Sequence, residues 1–382
     1  MHARHRLAAA ALCTDLALYL VMLSLPYRLL EQGASSSVLG LVPFLYAAPY
    51  AVVALLAGRI SDRFPRRGPI RAGLSLAVLA AVGLSLAGGV SPVLLLIPGI
   101  GVGLGFFWPS LQAGFSEVSQ GRDLHRLTGL FNVSWSVGKG LGLLGGGLLL
   151  GAIGAEGVSL VAAASFATAG LVLPRMGRPG DHSEALAADE NAPPPERQRA
   201  FRRSAWIANG VAFGVVATVT NHLPKVLLEH DLGPSDLGTF AGCVFFAQTA
   251  LFVLVGRSRA WHFRVAPLIA LQVVLAVTTL AVTGSETLAV LLAFAPIMGA
   301  GLGFAYQSSL YYSLHAPVDR GAQAGVHEAA LGFASAAIPL IGGPTVAVWG
   351  PSGPFVVAAA AMVLSAVFGT VAIRRSRTRP AH

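Results

Sequence analysis

The chain has 382 residues, of which 54% are hydrophobic and only 11% are charged. This composition is too apolar for a soluble globular protein and is typical of an integral membrane protein. The formal net charge of +9 would suit nucleic-acid binding only on a soluble domain with a basic surface, and the sequence contains no such domain.

Twelve apolar stretches are long enough to cross a bilayer, because a hydrocarbon core of about 30 Å needs roughly 20 helical residues. The first begins near the N-terminus and is too long for a signal peptide, so we interpret it as a transmembrane helix. The sequence therefore predicts an all-α integral membrane protein with twelve transmembrane helices. In chain order the predicted spans are 7–30, 37–57, 69–89, 92–115, 126–150, 156–174, 204–228, 236–255, 264–284, 287–315, 322–347 and 352–373.

Basic residues are divided unequally between the two sides of these spans. Of the 26 Lys and Arg residues, all except Arg28, Lys139 and Lys225 fall near the termini or in the loops that follow even-numbered spans. Loops rich in Lys and Arg face the cytoplasm in membrane proteins. We therefore expect a multi-pass protein of the cell membrane with both termini in the cytoplasm.

The chain divides into two halves of six spans each. Residues 175–203 are rich in Pro, Ala, Asp, Glu and Arg, and this composition predicts a solvated linker. We therefore expect an N-terminal six-helix bundle at 1–174 and a C-terminal six-helix bundle at 204–382, joined by this cytoplasmic linker.

The two halves share a sequence repeat. The hexapeptide GVGLGF at 101–106 recurs as GAGLGF at 299–304, and the same offset of 198 residues pairs Gly58 with Gly256. Parallel repeats related by an axis along the membrane normal build one group of secondary transporters. The repeat therefore predicts two pseudo-symmetric bundles around a central site.

The segment GRISDRFPRR, between spans two and three, resembles the signature of the major facilitator superfamily. The matching residues are Gly58, Asp62, Arg63, Arg66 and Arg67, with Pro65 where the family usually has glycine. The resemblance covers essentially the whole chain and implies the fold of that superfamily. It also implies that Asp62 faces the N-terminal end of span eleven, where the helix dipole favours a carboxylate, and latches the two halves on the cytoplasmic side. The alternative is that this basic loop only sets the topology.

Span five carries a second, weaker resemblance, to the antiporter signature of the same superfamily. Gly138, Gly142, Gly146 and Gly147 are in register with its glycines, whereas Leu143 replaces its proline. The arginine in span four that typifies many proton-coupled drug exporters is absent. The resemblance implies a secondary transporter of a small organic molecule, with proton-coupled efflux favoured over uptake, symport or facilitated diffusion. A receptor or an enzyme within the membrane is the alternative from another class.

Charged residues inside the predicted spans need a reason, since each costs about 2.5–3.5 kcal/mol near the middle of a membrane. Asp15, Lys139 and Glu328 lie in spans one, five and eleven, and His327 adjoins Glu328. A carboxyl group whose surroundings alternate between water and protein can take up and release a proton. Asp15 or Glu328 is therefore a candidate for proton coupling, with His327 assisting. The alternative is that Asp15 and Lys139 neutralise each other.

Polar and aromatic residues cluster on spans one, four, seven and ten, which line the central cavity in the superfamily that the chain resembles. A few polar groups among aromatic rings suit an organic, partly apolar ligand. Trp108 and Tyr306 correspond in the repeat and are the favoured pair. The alternative for each aromatic residue is helix packing or anchoring at the membrane interface. The predicted cavity residues are Tyr19, Trp108, Gln112, Asn209, His222, Tyr306, Gln307 and Tyr311.

No cofactor, metal site or nucleic-acid partner is expected. The sequence has no ATP-binding loop, and its two cysteines, Cys13 and Cys243, lie inside apolar runs where a small hydrophobic residue is the ordinary interpretation. The expected partners are a small-molecule substrate, the lipid bilayer and protons, and the chain is expected to act as a monomer and not as an enzyme.

Overall fold

The computed structural model describes residues 3–61, 65–118, 124–176, 193–314 and 320–376, and nearly all of them are helical. The helices are α1 (Ala3–Glu31), α2 (Ser36–Ser61), α3 (Arg67–Leu86), α4 (Val90–Val118), α5 (Leu124–Val172), α6 (Pro195–Leu228), α7 (Pro234–Val255), α8 (Val265–Ala281), α9 (Leu288–Leu314), α10 (Arg320–Trp349) and α11 (Gly353–Arg375).

Helix α5 contains two of the predicted spans. Its 49 residues would extend about 73 Å as one straight helix at about 1.5 Å per residue, roughly twice the thickness of a hydrocarbon core. Gly154, with φ 69° and ψ 173°, interrupts it. These dihedral angles are essentially restricted to glycine, so this residue supplies the turn between spans five and six.

Ten apolar stretches in the described residues are long enough to cross a membrane. The two longest, Gly129–Val172 and Val326–Arg375, contain 44 and 50 residues. Each is long enough for two crossings, and the breaks lie at Gly154 and at the short 3₁₀ turn Gly350–Ser352. The arrangement confirms the all-helical membrane fold, and α6 to α11 correspond to predicted spans seven to twelve. Helix α6 begins at Pro195, inside the segment predicted as a linker.

The start of α1 and the end of α5 lie on one side of the bundle, which we call the terminal end. Arg6 of α1 donates hydrogen bonds to the carbonyl oxygens of Val172 (2.8 Å) and Leu173 (3.0 Å), where α5 finishes. The opposite side, which we call the distal end, carries the connections 32–35 and 229–233 and the breaks at Gly154 and Gly350. Arg6 therefore satisfies carbonyl groups that the helix itself leaves without donors.

The two halves meet along two helix pairs, α2 with α10 and α5 with α7. Glycines let their backbones approach closely at the distal end. A Cβ atom on Gly238 of α7 would lie 2.7 Å from the carbonyl oxygen of Leu143, and one on Gly343 of α10 would lie 2.8 Å from that of Ser36. Small residues at helix contacts are the usual means of close packing in membranes. The halves are therefore in backbone contact on the distal side.

The glycines of span five also have a packing role. A Cβ atom on Gly142 would lie 2.5 Å from the carbonyl oxygen of Leu16 in α1, and Gly138 faces Leu12 of the same helix at a similarly close approach. The glycine-rich pattern of α5 therefore fits the surface of α1 within the first half, whereas Gly147 at its far end faces Pro234 of the second half.

Arg28 and Lys225, on the distal side, are both bound by acceptors. Arg28 is 3% exposed, donates to the carbonyl oxygens of Leu84 (2.6 Å) and Ala87 at the end of α3, and forms an ion pair with Glu156 (3.0 Å). Lys225 of α6 donates to the Ser36 hydroxyl at 3.3 Å. The C-terminal end of a helix favours a cation, so Arg28 connects α1, α3 and the second part of α5.

We expect Arg28→Ala to destabilise the protein by about 1–3 kcal/mol, because the hydrogen bonds of a charged donor to the end of α3 are lost. Glu156→Gln should cost less, since the Glu156 side chain is 59% exposed and the carbonyl groups still bind Arg28. Thermal unfolding of the purified variants in detergent measures both, with Arg71→Ala as a control at an exposed arginine. Equal losses for Arg28→Ala and Arg71→Ala would contradict this role for Arg28.

Candidate functional site

A cavity of about 110 Å³ lies between the two halves. Helices α1, α2, α4 and α5 of the first half and α6, α9 and α10 of the second half contribute to its wall. Three of its described lining residues are ionisable acids or bases, Asp15, Lys139 and Glu328. Eight others are aromatic: Tyr19, Tyr46, Tyr50, Trp108, Phe131, Trp135, Phe213 and Tyr306.

Positions related by the sequence repeat meet on this wall. An axis that relates two bundles passes between them, so residues of each bundle that face the axis come together in a central space. At the offset of 198 residues, Asp15 pairs with Phe213 and Trp108 pairs with Tyr306 on the cavity wall. In spans five and eleven the offset is two residues shorter, and there Trp135 pairs with Leu331 and Lys139 pairs with Ser335. Equivalent positions therefore carry different chemistry, and the charges are not symmetric.

Glu328 of α10 connects the second half to the first. Its carboxylate accepts a hydrogen bond from the Tyr50 hydroxyl of α2 (2.8 Å) and another from the Gln112 amide of α4 (2.8 Å). The residue is 8% exposed. Hydrogen bonds to an ionised acceptor are roughly twice as strong as neutral ones, so these two contacts hold the halves together across the cavity.

Lys139 of α5 is surrounded by aromatic rings. Its Nζ atom lies 4.2 Å from the ring centre of Tyr19, 4.7 Å from that of Phe213 and 4.3 Å from that of Phe245. The side chain is 1% exposed. Cation–π contacts at desolvated sites contribute about 2 kcal/mol or more. Phe213 and Phe245 belong to the second half of the chain, so a lysine of the first half is bound partly by rings of the second half.

Asp15 lines the same cavity and is 5% exposed. None of the described residues donates a hydrogen bond to its carboxylate, and no basic nitrogen among them lies within 4 Å of it. Asp15 and Lys139 therefore share one cavity without a direct ion pair, and mutual neutralisation of their charges stays an alternative. Their charges interact across a gap, and three rings surround the ammonium group.

His327 is buried beside the cavity and points away from it. Its Nδ1 atom lies 2.7 Å from the Ser309 hydroxyl and 3.5 Å from the Asn209 amide nitrogen, and its ring meets Tyr306 edge-on at 5.1 Å. Successive residues on a helix differ in direction by about 100°. For this reason Glu328 faces the cavity while the adjacent His327 contacts α6 and α9.

Sequence reasoning placed eight residues on the cavity wall, and the structure places four of them there: Tyr19, Trp108, Gln112 and Tyr306. The other four do not line this cavity. Asn209 contacts His327, Gln307 accepts a bond from Asn132 (3.4 Å), His222 lies 3.3 Å from the Pro339 carbonyl oxygen, and Tyr311 bonds to His262 (2.9 Å). Each of these four residues lies on a helix that lines the cavity. Its side chain, however, contacts residues outside the cavity wall.

Several lining residues on α2, α5 and α6 were not predicted from the sequence. Tyr46 and Tyr50 are four residues apart and share one face of α2. This spacing could have been recognised in the sequence as an aromatic face. Trp135 and Phe213 are single aromatic residues in apolar spans, without a spacing pattern that marks a shared face. Only the three-dimensional structure shows that they line the cavity.

The predicted cytoplasmic gate is only partly within the described residues. Asp62 and Arg63 lie outside them, and Gly58 belongs to the last turns of α2. Arg66 is 7% exposed and precedes α3, which begins at Arg67. The latch proposed for Asp62 therefore stays a prediction.

The sequence matches the family model of the Major Facilitator Superfamily over residues 7–317, well over half of the chain. No curated protein matches the chain by sequence. A crystal structure of a POT family transporter in complex with a thioalcohol-conjugated peptide aligns with a TM-score of 0.77 at 13% identity, covering 98% of this chain and 96% of that one. The human organic anion transporter MFSD10 (TETRAN) aligns with a TM-score of 0.68 at 15% identity, covering 96% and 98%.

We expect Lys139→Met to leave thermal stability unchanged or raise it. Methionine keeps most of the length of lysine, its sulfur packs well against rings, and it removes the cost of burying a charge. Lys139→Ala should instead lower stability by about 2–5 kcal/mol, because it opens a gap among the three rings. Thermal unfolding of the two variants side by side tests this. A large and equal loss in both would mean that the charge itself stabilises the fold.

Proposed function

Because the chain belongs to the major facilitator superfamily of membrane transporters, we propose that it moves a small organic molecule across the membrane through the cavity between its halves. The halves alternate between opening towards one side and the other, in keeping with the parallel repeat. Protons supply the driving force in this proposal, and efflux is the favoured direction.

The contacts of Glu328 with Tyr50 and Gln112 carry the proposal of proton coupling. When Glu328 is ionised, both neutral donors bind it and the two halves stay joined at the cavity. A proton on this carboxyl group removes the charge that strengthens both bonds. Protonation then favours separation of the halves along this contact, which links proton uptake to the change of conformation.

Asp15 is the second candidate proton site, because it faces the cavity and lacks donors among the described residues. Two carboxyl groups in one cavity interact, so a proton on either one changes the energy of ionising the other. The proposed direction rests on the glycine pattern of α5, which resembles the antiporter signature in sequence. Symport or uptake is the alternative, and the direction of gradient-driven flux distinguishes it from efflux.

We expect Glu328→Gln to reduce gradient-driven transport in proteoliposomes at least tenfold while substrate exchange without a gradient continues. The amide keeps the size of the side chain but cannot carry the charge that a proton would remove. Glu229→Gln, at an exposed position on the distal side, is the matched control.

Transport is followed with an internal pH dye while candidate compounds are added under imposed pH gradients. If Glu328→Gln lost both substrate exchange and gradient-driven flux, the result would indicate a defect in substrate binding. Full activity in both Glu328→Gln and Asp15→Asn would rule out both carboxyl groups as coupling sites.

We also propose that Asp62 latches the halves at the terminal end, as the resemblance of GRISDRFPRR implies. The repeat supports a special role, since position 62 corresponds to Ala260 in the second half, so the acidic residue occurs only once. A carboxylate at the N-terminal end of a helix is favoured by the helix dipole.

We expect Asp62→Asn to increase labelling of the cavity from the terminal side by a membrane-impermeant maleimide. The reporter is a cysteine introduced at Ser335, on the cavity wall, in a variant with Cys13 and Cys243 replaced by serine. Unchanged labelling and unchanged transport would leave the loop with a role in topology alone.

A further inference from the structure

We infer that the cavity binds organic monocations, such as quaternary or protonated amines with apolar substituents, and that Asp15 is the counter-ion for the positive charge. The inference rests on the proposed transport function and narrows its substrate class.

The charges on the cavity wall favour a cation. Among the described lining residues, two are acidic, Asp15 and Glu328, and one is basic, Lys139. With all three ionised, the wall carries a net charge of about −1. A ligand with one positive charge neutralises this net negative charge, whereas an anionic ligand increases it.

The three charged groups differ in how well they are already satisfied. Glu328 accepts two hydrogen bonds at 2.8 Å, and the Lys139 ammonium lies between 4.2 and 4.7 Å from the centres of three rings. Asp15 has neither a hydrogen-bond donor nor an ion-pair partner among the described residues. A buried charge without a partner is costly, so Asp15 is the group that gains most from a bound cation.

The position of Lys139 also argues against an anionic ligand. Its Nζ atom is enclosed by Tyr19, Phe213 and Phe245, and the side chain is 1% exposed. The cavity also holds the carboxylates of Asp15 and Glu328, so an anion that approached this ammonium group would face two like charges. The lysine therefore offers little attraction to a negatively charged ligand.

The aromatic wall suits the apolar and cationic parts of such a ligand. Tyr46, Trp108, Trp135 and Tyr306 line the cavity and are not part of the ring cluster that holds Lys139. The faces of these rings attract a positive charge within about 6 Å and also bury apolar groups.

A charge series on the unmodified protein tests the inference directly. The probes are benzyltrimethylammonium, its neutral isostere neopentylbenzene, and phenylacetate, which share one aromatic ring and differ in charge. We expect the cation to raise the thermal unfolding temperature in detergent and to quench tryptophan fluorescence at concentrations at least tenfold lower than the other two. Equal binding of all three, or preference for phenylacetate, would overturn the inference.

Variants at Asp15 then locate the counter-ion. Asp15→Asn should weaken benzyltrimethylammonium binding at least tenfold, whereas Asp15→Glu, which keeps the charge, should retain the preference for the cation over phenylacetate. Glu229→Gln should bind as the unmodified protein does. Unchanged cation binding in a folded Asp15→Asn protein would exclude Asp15 as the counter-ion, and if that variant does not fold, the charge series still decides the ligand class.

These measurements need no ion gradient, so they separate the ligand class from the transport proposal. Cation-selective binding without gradient-driven flux would leave the inference standing and remove the proposed coupling. Gradient-driven flux of a neutral or anionic compound, with no binding of the cation, would support the proposed coupling and overturn the inference of a cationic ligand.

Discussion

Most of the charged side chains inside this apolar bundle are bound by groups on other helices, and these contacts connect distant segments of the chain. A bilayer offers no water to replace a missing partner. Arg28 is held by the end of α3 and by Glu156, Lys225 by Ser36, Lys139 by three rings, and Glu328 by Tyr50 and Gln112. In each case the partners come from another helix, so each charge also joins segments that are distant in sequence.

Two of these arrangements cross the boundary between the halves near the cavity. Glu328 reaches from the second half to α2 and α4, and Lys139 reaches from the first half to rings on α6 and α7. The distal glycine contacts are made by backbone and apolar groups and do not depend on protonation. This difference separates packing that does not depend on charge from contacts that a change of charge can weaken, and it gives the transport proposal its physical basis.

The repeat explains the position of the cavity, and departures from the repeat explain its chemistry. Trp108 and Tyr306 are both aromatic at equivalent positions on the wall. Asp15, however, corresponds to Phe213, and Lys139 corresponds to Ser335. A symmetric pair of bundles thus encloses a site whose acidic and basic groups are arranged asymmetrically, so that one carboxylate is left for a ligand or a proton.

The sequence by itself determined the membrane fold and the repeat, because hydrophobic length and recurring motifs can be recognised in the chain without its three-dimensional contacts. It also identified Asp15, Lys139 and Glu328, since a charge within an apolar span is conspicuous. Only the tertiary structure decided which of these charges are paired. The partners of Lys139 and Glu328 lie on other helices, and whether a residue such as Tyr50 or Tyr311 faces the cavity depends on how its helix is rotated and packed, which no local pattern specifies.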